Sequence, residues 1–150
     1  MPLTHPFLKT TRSIKEFSSS TDRVLPPLEP QKAGQAVIKG LEYLKKRLAW
    51  SGTKIANILH LPPNTVNTWL KNGIVPIKGP ALHPDVQAII HLLAIHRSLE
   101  AMFENPAHQR AWLSTLHPEL NVIPEKLMGK SIEGLIFIRQ YLDYSRGRGA

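Results

Sequence analysis

Five residues within about two helical turns, Asn64, Thr65, Asn67, Thr68 and Lys71, carry side chains suited to reading base edges. Asparagine pairs bidentately with adenine, threonine touches a thymine methyl or a phosphate, and lysine reaches guanine or phosphate. Lys54, a few residues upstream, adds a cation suited to the phosphate backbone. These residues lie in or beside IANILHLPPNTVNTWLKNG, Ile55 to Gly73, which reads as two short helices joined by a tight turn. Ala56 supplies the small residue that lets the helices cross closely, and Ile55, Ile58, Leu59, Leu61, Val66 and Trp69 supply the apolar lock. The spacing therefore predicts a helix-turn-helix with Asn64, Thr65, Asn67, Thr68 and Lys71 on its leading face.

The turn LHLPPN has unusual chemistry. His60 falls where such a motif usually has glycine, a position often left-handed, which histidine tolerates better than β-branched residues do but at some strain. Pro62 removes a side-chain cap, and Pro63 offsets part of that loss by presetting the first helical φ. Ser51 is the expected N-cap of the first helix of the pair, and Gly73 the expected end of the second.

Catalytic chemistry finds no comparable constellation. The chain has no cysteine, and its seven histidines are scattered without HExxH or carboxylate spacing. His91 and His96 stand five apart, which does not place both on one helical face. There is no glycine-rich phosphate loop and no nucleophile elbow. The reading is a binding protein with no catalytic residues, no metal and no cofactor.

The elements that must position the reading face are helical. Of the net charge of +8, +6 falls on residues 35–80, where seven basic side chains meet only Glu42. A patch this concentrated suits phosphate contacts, and a solvated charged face is the plainer explanation. In QAVIKGLEYLKKRLAW, Val37, Ile38, Leu41, Leu44 and Leu48 recur at helical spacing, predicting a first helix from Gln35. GIVPIKGPALHP is a connector and the expected domain boundary. Pro84 opens a long helix to Glu104 with apolar residues on more than one face, as expected of a core helix or a dimer interface. Asn105 caps a helix through Leu116, Pro124 to Met128 forms a short turn of helix closed by Gly129, and Ser131 caps the last helix. No strand is expected. The fold class is all-α: residues 1–33 a Ser/Thr/Pro-rich tail with Val24, Leu25 and Leu28 available to dock, 34–79 the helix-turn-helix domain, and 83–150 a second small helical domain. No apolar run reaches the length of a signal peptide or membrane span, so a soluble, cytoplasmic protein is expected.

The order of elements in the second half resembles the toxin-binding domain of the Xre/MbcA/ParS antitoxin family. Trp112 and Leu113 match its aromatic-Leu pair, His117 to Leu120 its His-Pro-x-Leu turn, Pro124 to Met128 its Pro-x-x-Leu-Met turn, and Gly134 through Gly147 its terminal helix. Family members often place a helix-turn-helix before this domain. The resemblance implies a dimeric type II antitoxin that neutralises a RES-domain toxin, which consumes or transfers from NAD, and represses its own operon. It further implies that the C-terminal segment covers the toxin's active site, pointing to Tyr141, Tyr144, Arg146, Gly147 and Arg148; Tyr and Arg are favoured interface anchors. Two reading helices of a homodimer would span about one DNA turn on a palindromic operator. A stand-alone transcriptional regulator without a toxin partner is the alternative.

Overall fold

The computed structural model describes residues 29–77 and 84–149, with side chains to Gly147. Seven helices make up the fold among these residues: α1 (Pro30–Leu48), α2 (Gly52–Leu59), α3 (Pro63–Asn72), α4 (Pro84–Met102), α5 (Pro106–Ser114), α6 (Pro124–Lys130) and α7 (Ile132–Gly149). No strand occurs among them, and a single antiparallel bridge joins His117 to Val122. The all-α expectation holds. The proposed docking of Val24, Leu25 and Leu28, and the connector from residue 78 to 83, lie outside the described residues.

Helix α1 begins at Pro30, earlier than Gln35, because Pro30 occupies a first-turn position where its missing N–H has no helical partner to lose. Its buried stripe is Ile38, Leu41, Leu44 and Leu48, the spacing of one helical face. It ends where Ala49 turns left-handed at φ 54°. Two short helices joined by a tight turn, α2 and α3, follow. The Ser51 hydroxyl accepts the Lys54 amide at 3.0 Å. His60 takes φ 61°, with the Leu61 amide bonded to the Ala56 carbonyl at 2.9 Å. Pro62 caps α3 without a side-chain bond, Pro63 takes the first-turn position, and Gly73 ends the helix at φ 72°.

The connector does not leave the body at once. Val75 is buried, and its amide donates to the Gly34 carbonyl at 3.3 Å, tying the chain after α3 to the start of α1. Beyond it, α4 is the central helix. Of its two apolar faces, Val86, Ile89, Leu92, Ile95 and Leu99 are buried within the chain, Ile90 and Leu93 are half-buried against the core, and Met102 is 42% exposed. Leu135, Ile138 and Leu142 of α7 are buried in the same core, as are the α1 stripe and Ile55, Ile58 and Leu59 of α2. One core thus runs on both sides of the connector.

Four ends differ from the sequence expectation, the last being α7, which runs two residues past Gly147 to Gly149. Helix α4 stops at Met102, short of Glu104. Helix α5 stops at Ser114, because Thr115 is extended and the chain enters a tight hairpin in which the His117 amide donates to the Val122 carbonyl at 2.9 Å. Helix α6 does not close at Gly129 but continues to Lys130. Gly129 serves there as a crossing point, since a Cβ would lie 3.0 Å from the Asn57 side chain of α2.

A buried polar joint fastens α1 to α4 and α5. Arg47 donates to Glu100 at 3.1 Å, the Gln109 amide donates to the same Glu100 oxygen at 3.0 Å and to the Phe103 carbonyl at 2.8 Å, and His96 Nε2 lies 3.3 Å from Gln109 Oε1. Burial pushes the His96 imidazole below its ordinary value of 6.5, overriding the pull of Glu100. Burial and Arg139 lower His91 likewise. For Glu100, burial raises the carboxyl, but hydrogen bonds from Tyr43, Gln109 and Arg47, with His96 nearby, outweigh it and leave the group below 4.5.

These shifts share one sign. In each case the unfolded chain binds the proton more readily, so stability is complete above the unfolded value and is lost as pH falls towards the folded one. The melting temperature is expected to be level from pH 8 to 7, to decline below about pH 6.5 as the histidines charge in the unfolded chain, and to decline further below about pH 4.5. Calorimetry across this range checks it, and His96→Gln should flatten the first limb. A level curve down to pH 5 would contradict it.

Candidate DNA-reading and partner-binding surfaces

The turn at His60 and the caps at Ser51 and Gly73 set α3 across α2 with Val66 buried between them. This orients the rest of α3. Asn64, Thr68 and Lys71, at helical spacing, form an exposed stripe. Thr65 is half-buried beside it. Asn67 is exposed but turned towards the start of α2, where Gly52 leaves room for it: a Cβ at Gly52 would run into Asn67 Oδ1. Four of the five expected reading residues are therefore solvent-facing, with Asn67 on the flank nearer α1.

Lys54 is placed differently from the expectation. Its ammonium lies 3.1 Å from a Glu125 carboxylate oxygen and 5.1 Å from the centre of the Trp50 ring. Part of its charge is thereby neutralised by α6, which weakens its case as a phosphate contact. Arg47 is similarly engaged by Glu100. Lys45, Lys46 and Lys71 instead line an open groove of about 540 Å³ between α1 and α3, together with Glu42, Asn67 and Leu70.

Of the C-terminal residues singled out from the sequence, two are tied into the fold. The Tyr141 hydroxyl donates to Glu119 at 2.7 Å and lies 3.4 Å from His117 Nε2. His117 Nδ1 accepts the amides of Glu119 at 3.2 Å and Leu120 at 3.4 Å, so its proton resides on Nε2, facing Tyr141. Tyr141 thus braces the hairpin against α7. Arg146 reaches back to donate to the buried Ser98 hydroxyl at 3.2 Å. Tyr144 is 63% exposed, and Gly147 has open space around its Cα. The Arg148 side chain lies outside the described residues.

Sequence reasoning missed Phe137. It is 47% exposed, one heptad before Tyr144 on the face of α7 opposite Leu135, Ile138 and Leu142. Plotting α7 as a helix would have shown these two aromatics out of register with its buried stripe. It also missed an apolar groove of about 380 Å³ at the α5 end of the hairpin, lined by Phe103, Trp112, Leu116 and Pro118 among others. Leu116, expected inside a helix, lies beyond its end and is 55% exposed.

Among the described residues no group of three or more His, Asp or Glu could hold a metal ion, and no helix is long and apolar enough to cross a membrane. Residues 98–148 match the family described as the antitoxin Xre/MbcA/ParS C-terminal toxin-binding domain. The match spans the end of α4, all of α5 and α6, and nearly all of α7, including Phe137, Tyr144 and the groove beside Trp112. No curated protein matches the chain.

Proposed function

We propose, from the match of residues 98–148 to the antitoxin Xre/MbcA/ParS C-terminal toxin-binding domain, that the chain is a cytoplasmic type II antitoxin of that family that binds and neutralises a RES-domain toxin. It acts by binding, not by catalysis. The observation that carries this reading is the coincidence of a toxin-binding domain with exposed aromatics, Phe137 and Tyr144, on the outer face of its last helix. Exposed aromatic anchors are where interface energy concentrates. In this reading the C-terminal segment from Tyr144 through Arg148 covers the toxin's active site. Tyr141 and Arg146 act one step back, holding the helix and hairpin in place.

In the same reading the N-terminal half binds double-stranded DNA as a homodimer on a palindromic operator and represses the operon. Asn64 and Thr68 read bases, with Asn67 at the edge of the groove and Lys71 on phosphate. The exposed stripe on α3 beside uncommitted lysines supports it.

Co-expression with an adjacent RES-domain reading frame tests the first part. Restored growth and copurification are expected, and failure of both would leave the stand-alone regulator as the better account. In the complex, Phe137→Ala and Tyr144→Ala should each weaken binding by about 2 kcal/mol, roughly thirtyfold in Kd, with unchanged melting temperature. For the second part, an Asn64/Asn67/Lys71 triple alanine variant should lose operator retention in a mobility-shift assay, and undiminished retention would make α3 a structural helix only.

A further inference from the structure

Five basic side chains lie along the second half of α1, α2 and the end of α3, and the fold treats them in two ways. Arg47 and Lys54 each have a carboxylate at 3.1 Å, supplied by Glu100 and Glu125 of the C-terminal half. Lys45, Lys46 and Lys71 have no ion-pair or hydrogen-bond partner among the described residues, yet they converge on one groove whose only acid is Glu42. Gathering like charges without counter-charges is unfavourable unless an anion completes the set. Lysines in last helical turns complement the helix dipole. That accounts for a cation at the end of α1 and another at the end of α3, not for both ends facing one cleft.

The floor and wall of the groove narrow the ligand. Leu70 is apolar and Asn67 offers an amide, while the three ammonium groups sit on two separate helices. A single small anion would engage one rim. A chain in which anionic groups alternate with apolar sugars would engage all of it.

We propose that the α1–α3 groove seats the sugar-phosphate backbone of one DNA strand, with Lys45, Lys46 and Lys71 on successive phosphates and Leu70 against a deoxyribose. This rests on the DNA-binding reading of α3 and adds to it a phosphate seat contributed by α1, outside the helix-turn-helix. The groove fixes the register of the duplex, while the Asn64–Thr68 side of α3 enters the adjoining major groove. Lys45 and Lys46 thereby acquire a role that the charge of the segment alone does not assign them.

The test uses the full chain and a fluorescein-labelled 30-base-pair duplex of arbitrary sequence, titrated by anisotropy between 50 and 200 mM KCl. Lys45→Gln/Lys46→Gln/Lys71→Gln should melt with the wild type by circular dichroism. It should lower the slope of log K against log salt by about 2 to 3 and weaken binding about a hundredfold at 100 mM. Lys45→Gln/Lys46→Gln alone should lower the slope by about 2. A wild-type chain that binds the duplex while the variants keep its slope overturns the groove and leaves the α3 reading standing. No duplex binding by the wild type at 50 mM overturns both. Displacement of the duplex by 10 mM inorganic phosphate at constant ionic strength would identify an isolated anion pocket and overturn the backbone assignment. So would loss of toxin copurification in the triple variant with its duplex slope unchanged, which would make the groove a seat for an acidic protein.

Discussion

Replacing Gly134 with valine is expected to cost about 3 kcal/mol and to lower the melting temperature by roughly 10 °C. Gly134 lies in the first turn of α7, directly after the bend from α6, where its amide donates to the Ser131 hydroxyl at 3.0 Å. A Cβ at this position would run into the Leu127 carbonyl oxygen, with the Leu127 side chain close behind at 3.2 Å. A backbone carbonyl inside a helix cannot rotate away as a side-chain tip can, so the two helices must part. Leu135, fully buried next to Gly134, would be drawn out with them. Gly147 makes the contrast. Nothing lies within 4 Å of a Cβ there, so Gly147→Ala should stabilise α7 by up to about 1 kcal/mol through helix propensity. Urea midpoints of the two variants should shift in opposite directions. A Gly134→Val protein as stable as wild type would mean that the bend between α6 and α7 is not as tight as described.

Glu100→Ala is the second large effect, about 2 kcal/mol of destabilisation by equilibrium unfolding. The carboxylate receives Arg47 and the Gln109 amide, so its removal takes one partner from each and leaves them only the carbonyls of Glu104 and Phe103. The full penalty of a severed buried pair is larger, but the Arg47 and Glu100 side chains retain 31% and 23% of their exposure and water recovers part of it. Arg47→Ala should cost less than Glu100→Ala, because Glu100 then keeps Gln109. A double-mutant cycle on the two should give a coupling of about 1 kcal/mol. A coupling near zero would make the ion pair incidental and leave Glu100 to Tyr43 and Gln109.

The helices were legible because their signals are local. Caps at Ser51, Asn105 and Ser131, prolines in first turns at Pro63, Pro84, Pro106 and Pro124, and the left-handed His60 and Gly73 are each decided by a few neighbouring residues. Residue type and helical phase were likewise enough to place Asn64, Thr68 and Lys71 on an exposed face. What stayed hidden depends on partners far along the chain. Lys54 looks like a free cation until Glu125 is beside it, and Tyr141 looks like an interface anchor until Glu119 and His117 take its hydroxyl. The apolarity of α4 does not say which of its residues pack against α1 and α7 and which, like Met102, stay exposed. Phe137 was readable in principle, because its phase against Leu135 and Ile138 is fixed by the period of a helix.

His60 does more than turn the chain. Its Nε2 lies 2.9 Å from the Met128 carbonyl, which can only accept, so the ring donates to the backbone of α6. With Arg47 on Glu100 and Lys54 on Glu125, three side chains of the N-terminal half find their counterparts beyond the connector. Such a chain does not recombine like a cassette. A chimera joining residues 29–77 to a foreign C-terminal half inherits an unmet imidazole N–H and two unmatched cations, unless the incoming half brings a carbonyl and two carboxylates to the same places. Such an exchange keeps these three contacts only where the incoming α4 and α6 already fit the turn.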